Sequence, residues 1–342
     1  MDIKSEEVDE MQKGHNIKCL IIQGFQWILA IFVATIVTSV FVLFYYYSGV
    51  HVGDPTGSTD YKWKPHQFSG NAYEGFAHFK MDENGFNNDV QPSTIDVLLM
   101  GSSHMEAAQI SREDNAASIL SNSTGLGIYN IAIAGNSFLM NLDNLKAAVE
   151  TYSPKSYIVI HADTLSYTDE QWVTLEKGKM TDVPYAHDGL LLRLRNIPSL
   201  KLMYKQMVDK AKADLTFLMN SNNISQITEN ENFNYHNIEN CLREAASICD
   251  DAGCGLIVVY TPTLKLGSKS ELLRSDNIDF IKRFGDLCDN TGITFLDMYD
   301  AFKKTYDAEY LLPYGFFNSA PNTGHLNRTG HKLFAQLLYE IL

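Results

Sequence analysis

The chain has 342 residues, and its 27 Lys and Arg against 41 Asp and Glu give a formal net charge of −14 at pH 7. Hydrophobic residues make up 45% and charged residues 20%, which excludes wholesale disorder, a collagen-like repeat and a multi-span membrane protein. The acidic balance argues against nucleic acid as a partner, because attraction to phosphate needs a basic face.

The first predicted element is an apolar run at residues 27–47, WILAIFVATIVTSVFVLFYYY, which contains no charged residue. At about 1.5 Å per residue, a helix of this length spans the roughly 30 Å hydrocarbon core of a bilayer. Trp27 at one end and three tyrosines at the other fit the aromatic belts of a membrane interface. The alternative is a cleavable signal peptide, but its apolar region runs only about 7–15 residues. We therefore predict a transmembrane anchor over 19–48.

Basic residues predict the orientation of this anchor. Lys13, His15 and Lys18 precede it closely, whereas the first lysine after it is Lys62. The positive-inside rule then places the tail, residues 1–18, in the cytoplasm and the C-terminal domain outside the cell. The tail carries three lysines and five acidic residues and the anchor carries no charge, so −12 of the total of −14 belongs to the part beyond the anchor.

Beyond the anchor, residues 49–65 are rich in Gly, Ser and Thr and predict a stalk, followed by one external domain over 66–342. Apolar runs there alternate with helical patterns, which is typical of a parallel α/β sheet. The predicted strands are 95–101, 128–133, 157–161, 255–261 and 293–297. The predicted helices are 105–120, 138–150, 235–252, 269–290 and 328–342. Residues 164–234 interrupt the alternation and predict a helical insertion, either a lid or a packing elaboration.

Candidate chemistry lies where predicted strands end. The first strand runs into GSSH (101–104), which places Ser103 at a strand-to-helix turn, and the second runs into AGNS, with Gly135 free to approach a ligand without a Cβ. His325 lies in a loop before the last helix. Taken singly, these are an ordinary helix-capping serine, a turn glycine and a surface histidine.

Taken together, these segments resemble the sequence blocks of the SGNH, or GDSL-type, hydrolases, in particular their membrane-anchored members. GSSH (101–104), YNIAIAG (129–135) and HLNRTG (325–330) resemble the first, second and last blocks, and MDENGFNND (81–89) is similar to what precedes the first block in many members. The resemblance implies a three-layer, flavodoxin-like parallel sheet. It also implies Ser103 as nucleophile, Gly135 as a donor to the oxyanion and His325 as the base.

Two positions depart from the family pattern. Asn322 stands three residues before the histidine, where the family has Asp, and Ala162 stands where the third block has Asn. Asn322 could orient the imidazole, or a backbone carbonyl or Asp297 could do so. Asn136 or His161 could replace the missing oxyanion donor. Asp163, after the third strand, is either a helper in the site or the cap of a turn.

The resemblance implies acyl-ester chemistry, either O-acyl transfer or deacylation, on a cell-envelope polysaccharide or related polymer outside the membrane. It also implies a multi-span acyltransferase as partner, and neither cofactor nor metal. Two alternatives remain: an esterase or lipase for small esters, and an inactive relative that binds a glycan. The cysteines match no metal or redox spacing, so the four beyond the anchor form one disulfide or stay free thiols.

Overall fold

The computed structural model describes residues 18, 21–40, 51–53, 61–63, 65–66, 68–71, 74–176, 233–319 and 322–342. The chain divides into two compact units, Met1–Tyr47 with Tyr185–Ile227, and Ser48–Pro184 with Thr228–Leu342. Nearly all of the predicted tail, much of the stalk and most of the predicted insertion lie outside the described residues.

The first unit contains helix α1, Ile21–Val40, with 20 residues and a mean hydropathy of 1.9. None of its residues is buried, and its large apolar side chains are exposed. The hydroxyl of Thr35 donates to the carbonyl of Ile31 at 2.8 Å, which gives this polar group a partner within the helix. This helix is long and apolar enough to cross a membrane, but a signal sequence near an N-terminus shares these properties, so the anchor and its orientation stay predictions.

The second unit contains the remaining described elements. Its strands are β1 (His51–Gly53), β2 (Tyr61–Trp63), β3 (Phe68–Asn71), β4 (Ala77–Lys80), β5 (Val97–Met100), β6 (Ile128–Asn130), β7 (Tyr157–Ala162), β8 (Gly255–Tyr260), β9 (Leu264–Leu266), β10 (Leu272–Arg274) and β11 (Thr294–Asp297). Its helices are α2 (Ser103–Glu106), α3 (Ala116–Thr124), α4 (Phe138–Asp143), α5 (Leu145–Tyr152), α6 (Asp169–Glu176), α7 (Tyr235–Asp251), α8 (Ile278–Asn290), α9 (Tyr299–Glu309) and α10 (Arg328–Tyr339).

The central feature is a five-stranded sheet in the order β11–β8–β7–β5–β6. Every neighbouring pair in it is parallel. The five strands are those predicted from the sequence, and the predicted parallel α/β fold is confirmed. The chain leaves β5 for the edge strand β6 and then returns to the other side of β5 with β7. That reversal makes the carboxyl end of β5 the switch point at which open α/β sheets bind ligands.

Helices cover both faces of this sheet. Successive residues of a strand point to opposite sides, and in these strands the side chains on both sides are mostly apolar and need to be buried. In β5, Leu98 and Met100 pack with helices α4 to α8, whereas Val97 and Leu99 pack with α3, α9 and α10. The four side chains are at most 3% exposed. Two apolar layers of this kind produce the predicted three-layer arrangement and make the sheet a rigid support for residues at its carboxyl edge.

Three predicted helices differ from the structure. The helix predicted over 138–150 is divided at Asn144 into α4 and α5. The helix predicted over 105–120 is broken, because α2 ends at Glu106 and Ala107 adopts a left-handed conformation with φ 57°. Asn115 then caps α3 by accepting the N–H of Ser118. The helix predicted over 269–290 begins only at Ile278, behind the cap Asn277, because the β9–β10 hairpin occupies the preceding segment.

The described parts of the predicted stalk and insertion belong to the folded domain. Trp63, assigned to the stalk, is buried, and its backbone N–H donates to the carbonyl of Gly85 at 3.2 Å. Trp172 of α6, within the predicted insertion, is fully buried against Phe138. Trp63 and Trp172 therefore belong to the core of the folded domain.

Four cysteines beyond the predicted anchor, Cys241, Cys249, Cys254 and Cys288, are buried free thiols. Of the two arrangements that the sequence left open, the structure contains the thiols and not the disulfide. Burial raises the pKa of Cys249 to about 12, and it also raises the pKa values of Cys254 and Cys288.

Candidate active site

Ser103 stands at the carboxyl end of β5, on the first turn of α2. Gly101 and Ser102 make the turn between the two elements. A Cβ on Gly101 would lie 3.0 Å from the Cβ of His161 and 3.0 Å from the Cγ of Met105, so the chain passes closely between β7 and α2 at this point. A small residue is favoured there, and the turn projects the hydroxyl of Ser103 above the sheet.

His325 contacts this serine directly. Its Nε2 lies 2.8 Å from the Oγ of Ser103, although 222 residues separate the two in sequence. The two residues that the motifs nominated are thus brought together at hydrogen-bond distance, which is the contact that a nucleophile and its base need.

The other side of the imidazole is held by Glu74. Its Oε2 lies 2.5 Å from Nδ1 of His325, and its Oε1 accepts the backbone N–H of the same residue at 2.6 Å. Burial raises the pKa of the Glu74 carboxyl, but the hydrogen bonds from His325 and the charges of His325 and His104 outweigh it, and the net direction is downward. Glu74 is therefore a carboxylate at neutral pH, and Ser103, His325 and Glu74 form a Ser–His–Glu chain.

The sequence did not identify Glu74. It lies 251 residues before the histidine, in a segment that matched no motif. The loop of His325 contains a glycine that leaves room for Glu74. Gly324 has φ +78°, and a Cβ there would lie 1.9 Å from Oε1 of Glu74. The segment after Glu74 is fixed by Asn318, whose side chain exchanges two hydrogen bonds of 2.8 Å with the backbone of Gly75.

Asn322 does not take the orienting position proposed for it. It adopts φ 56°, and its Nδ2 donates to the carbonyl of Leu264 at 3.1 Å, away from the imidazole. The alternative acid, Asp297, accepts from Arg274 at 2.7 Å and from the N–H of Tyr299 at 2.9 Å. Both carry hydrogen bonds elsewhere, and Glu74 occupies the position at Nδ1.

The predicted oxyanion donor, Gly135, lies in the loop after β6. Ile133 ties this loop to the end of β5 by donating its N–H to the carbonyl of Gly101 at 3.1 Å. Gly135 has φ +96°, and a Cβ there would meet no atom within 4 Å, so the space above it is open. This places the Gly135 loop beside the turn that carries Ser103, as an oxyanion site requires.

Of the two residues considered as the replacement donor, His161 is engaged elsewhere. It is buried, and its Nε2 is 2.8 Å from the hydroxyl of Thr261. Asn136 follows Gly135 directly, and its backbone N–H donates to Ile133 at 3.1 Å. Its place in the sequence keeps it in the same loop, so Asn136 remains the candidate. Ala162, at the end of β7, has no polar side chain to offer.

Asp163 lies beside the serine turn and not in the Ser–His–Glu chain. Its Oδ2 accepts the hydroxyl of Ser102 at 2.9 Å, which ties the ends of β7 and β5 together. His104 is 3.8 Å from the same oxygen, too far for a hydrogen bond. Burial, and then the charge of His325, lower the pKa of His104 to about 4, with Asp163 and Glu74 opposing. His104 is therefore neutral, and it accepts the N–H of Leu326 at Nδ1.

In the part of the chain that the structure describes, no group of three or more His, Cys, Asp or Glu side chains is arranged to hold a metal ion. Ser103, His325 and Glu74 supply a hydroxyl, an imidazole and a carboxylate in hydrogen-bond contact. Together they can deprotonate a hydroxyl and pass its proton to a leaving group.

Among known proteins, the chain is similar to solved structures at low sequence identity. No family model and no curated protein sequence matches the chain. Among solved structures it is similar to the esterase EstA from Pseudoalteromonas sp., with 14% identity, 72% of this chain and 95% of that chain covered, and a TM-score of 0.35. It is similar to an SGNH hydrolase from Slackia heliotrinireducens, with 12% identity, 72% and 98% covered, and a TM-score of 0.38. It is also similar to the acetyl xylan esterase AlAXEase, with 11% identity, 72% and 100% covered, and a TM-score of 0.40.

Proposed function

We propose that this protein is a serine-dependent acyl-ester enzyme whose nucleophile is Ser103. The observation that carries the proposal is the chain of contacts from Ser103 through His325 to Glu74, at 2.8 and 2.5 Å. The carboxylate of Glu74 accepts from Nδ1 and so favours the tautomer with its lone pair on Nε2. That nitrogen then accepts the proton of the Ser103 hydroxyl.

The reaction follows from these positions. Ser103 Oγ attacks the carbonyl carbon of the ester, and its proton passes to Nε2 of His325. The backbone N–H groups of Ser103 and Gly135, with Asn136, stabilise the negative oxygen of the tetrahedral intermediate. When the intermediate collapses, His325 gives the proton to the departing alcohol and the acyl group stays on Ser103. Attack by water completes hydrolysis, and attack by another hydroxyl completes acyl transfer.

We further propose that the acyl group is exchanged with a cell-envelope polysaccharide or related polymer at the outer face of the membrane. The apolar helix α1 and the basic residues before it support an anchored protein with an external domain. A multi-span acyltransferase that carries acyl groups across the membrane is the expected partner. The domain's excess of acidic residues repels anionic polymers, so contact with a glycan depends on the cleft.

The test uses the full-length chain in detergent micelles and a fluorophosphonate probe. We expect the probe to label Ser103 in the wild type, and we expect no labelling at this position in Ser103→Ala or His325→Ala. Lys304→Ala, a change at an exposed site on α9, is the control and should label as the wild type does. Labelling that is unaffected by His325→Ala would contradict the proposed base.

A second measurement separates transfer from hydrolysis. p-Nitrophenyl acetate supplies the acyl group, and envelope oligosaccharides supply hydroxyls; mass spectrometry then detects acetylated oligosaccharide. An acetylated product that requires Ser103 favours transfer to a glycan. Acetate alone at every acceptor concentration favours the small-ester esterase. The glycan-binding alternative depends on two departures from the family pattern, Asn322 in place of an acid and Ala162 in place of an oxyanion donor. Glu74 supplies a carboxylate to His325, so Asn322 no longer argues for an inactive site.

A further inference from the structure

Glu106 is a buried carboxyl group one helical turn after Ser103, and it joins three elements. It is 2% exposed. One oxygen accepts the indole N–H of Trp63 from β2, and the other accepts the backbone N–H of Ala134 at 2.9 Å. Ala134 immediately precedes Gly135. A single side chain on the helix of Ser103 therefore holds the loop that carries the oxyanion donor.

The two accepted hydrogen bonds suit a carboxylate and no other common side chain. An ionised carboxylate offers acceptors on both oxygens, whereas a protonated acid or an amide must present a donor on one side. A donor placed against Trp63 or Ala134 would meet an N–H and push the contact apart. Loss of one acceptor would thus release either β2 or the loop of Gly135.

We infer that Glu106 is a positioning residue for acyl transfer, whose ionised carboxylate holds the N–H of Gly135 where the oxyanion forms. This rests on the proposed function, because it presumes that Ser103 and Gly135 serve one reaction. Glu106 makes no hydrogen bond with Ser103 or His325 among the described residues, so it acts through the loop and not on the reacting atoms.

The surroundings of Glu106 make its ionisation sensitive to pH. Burial raises its pKa to about 7, while the N–H groups of Trp63 and Ala134 and the charge of His325 act against that rise. His325, from the loop before α10, is the ionisable group whose charge bears on it. Near neutral pH, a fall in pH protonates Glu106 and loosens the loop of Gly135.

The test compares three full-length variants in detergent micelles, with p-nitrophenyl acetate as substrate and a fluorophosphonate as probe of Ser103. Glu106→Gln retains size but loses one acceptor. Trp63→Phe keeps the Ala134 contact and removes one N–H that favours the carboxylate. Tyr306→Phe removes a hydroxyl on α9 that donates to the carbonyl of Ser270 at 2.7 Å, and it controls for the loss of a part-buried hydrogen bond.

For Glu106→Gln we expect the labelling rate and kcat to fall about 100-fold, as a displacement of about 1 Å in an active site can produce, with KM within about twofold. The acid limb of wild-type kcat should include a fall near pH 7, where Glu106 gains a proton, and Glu106→Gln should lose that fall. Trp63→Phe should move this acid limb to higher pH. Tyr306→Phe should change none of these.

Three results would overturn the inference. Equal labelling of the wild type and Glu106→Gln overturns it and leaves the proposed function standing. An acid limb that Trp63→Phe does not move overturns it even where Glu106→Gln fails to fold. Absence of Ser103 labelling in the wild type overturns the proposed function and this inference with it.

Discussion

Replacing Glu74 by Gln tests the arrangement that the structure revealed and the sequence did not. Both oxygens of Glu74 accept N–H groups of His325, at 2.5 and 2.6 Å. The amide keeps one acceptor and turns an NH₂ group towards the other N–H. It also removes the negative charge that faces the imidazole when Ser103 transfers its proton.

The size of the effect follows from these contacts. Two unit charges about 4 Å apart at an effective dielectric of about 20 interact by about 4 kcal/mol, and a lost charge-assisted hydrogen bond costs about 1.5–3 kcal/mol. The two terms overlap, so we expect transition-state stabilisation to fall by about 4–5 kcal/mol. At about 1.4 kcal/mol per tenfold change, kcat should fall about 10³- to 10⁴-fold.

The assay is steady-state hydrolysis of p-nitrophenyl acetate by the full-length protein, with Asn322→Ala as the matched comparison. Because Asn322 bonds to the carbonyl of Leu264 and not to the imidazole, its removal should change kcat by less than about threefold. A thermal melt checks that both variants fold. An Asn322→Ala variant as impaired as Glu74→Gln, or a Glu74→Gln variant within tenfold of the wild type, would refute the assignment of Glu74.

Three further predictions concern the same region. Gly324→Ala should lower kcat at least tenfold and lower Tm, because its Cβ would collide with the Glu74 carboxylate at a positive φ; Gly125→Ala, at an open positive-φ site, should lower Tm only. Asn327→Ala should cost about 1–2 kcal/mol in urea unfolding, because its side chain caps α10. Because the folded-state pKa of Glu106 is raised from 4.5 to about 7, stability should fall as pH rises between those values, and Glu106→Gln should lose that slope in Tm.

The sheet could be predicted from the sequence because its strands are buried on both faces and therefore consist of near-continuous apolar runs. Val97–Met100 and Tyr157–Ala162 are examples. The helices were less predictable where one residue's backbone conformation decides the outcome. Ala107 ends α2 in a left-handed conformation, which no periodicity records, and a nearly helical apolar spacing concealed the β9–β10 hairpin.

The residues of the site also divide into those that local sequence indicates and one that it does not. Ser103, Gly135 and His325 follow recognisable local sequences, since each is fixed by the turn on which it sits. Glu74 is fixed by contacts with residues far away in sequence, so no spacing indicates it. A catalytic acid needs only the correct position relative to the imidazole, and that position can be supplied from anywhere in the chain. An Asn at position 322 therefore does not remove the acid from the site, because Glu74 takes that place from a distant part of the sequence.

The buried thiols of Cys249, Cys254 and Cys288 have a practical consequence for studying the site. Reactivity towards electrophiles depends on the thiolate, and raised pKa values keep these groups protonated at neutral pH. They are also enclosed by the core. Electrophilic acylating reagents applied to the native domain should therefore modify Ser103 in preference to these thiols. The same domain needs no oxidative step to fold around them, so it can be produced in a reducing cytoplasm as well as in an oxidising compartment.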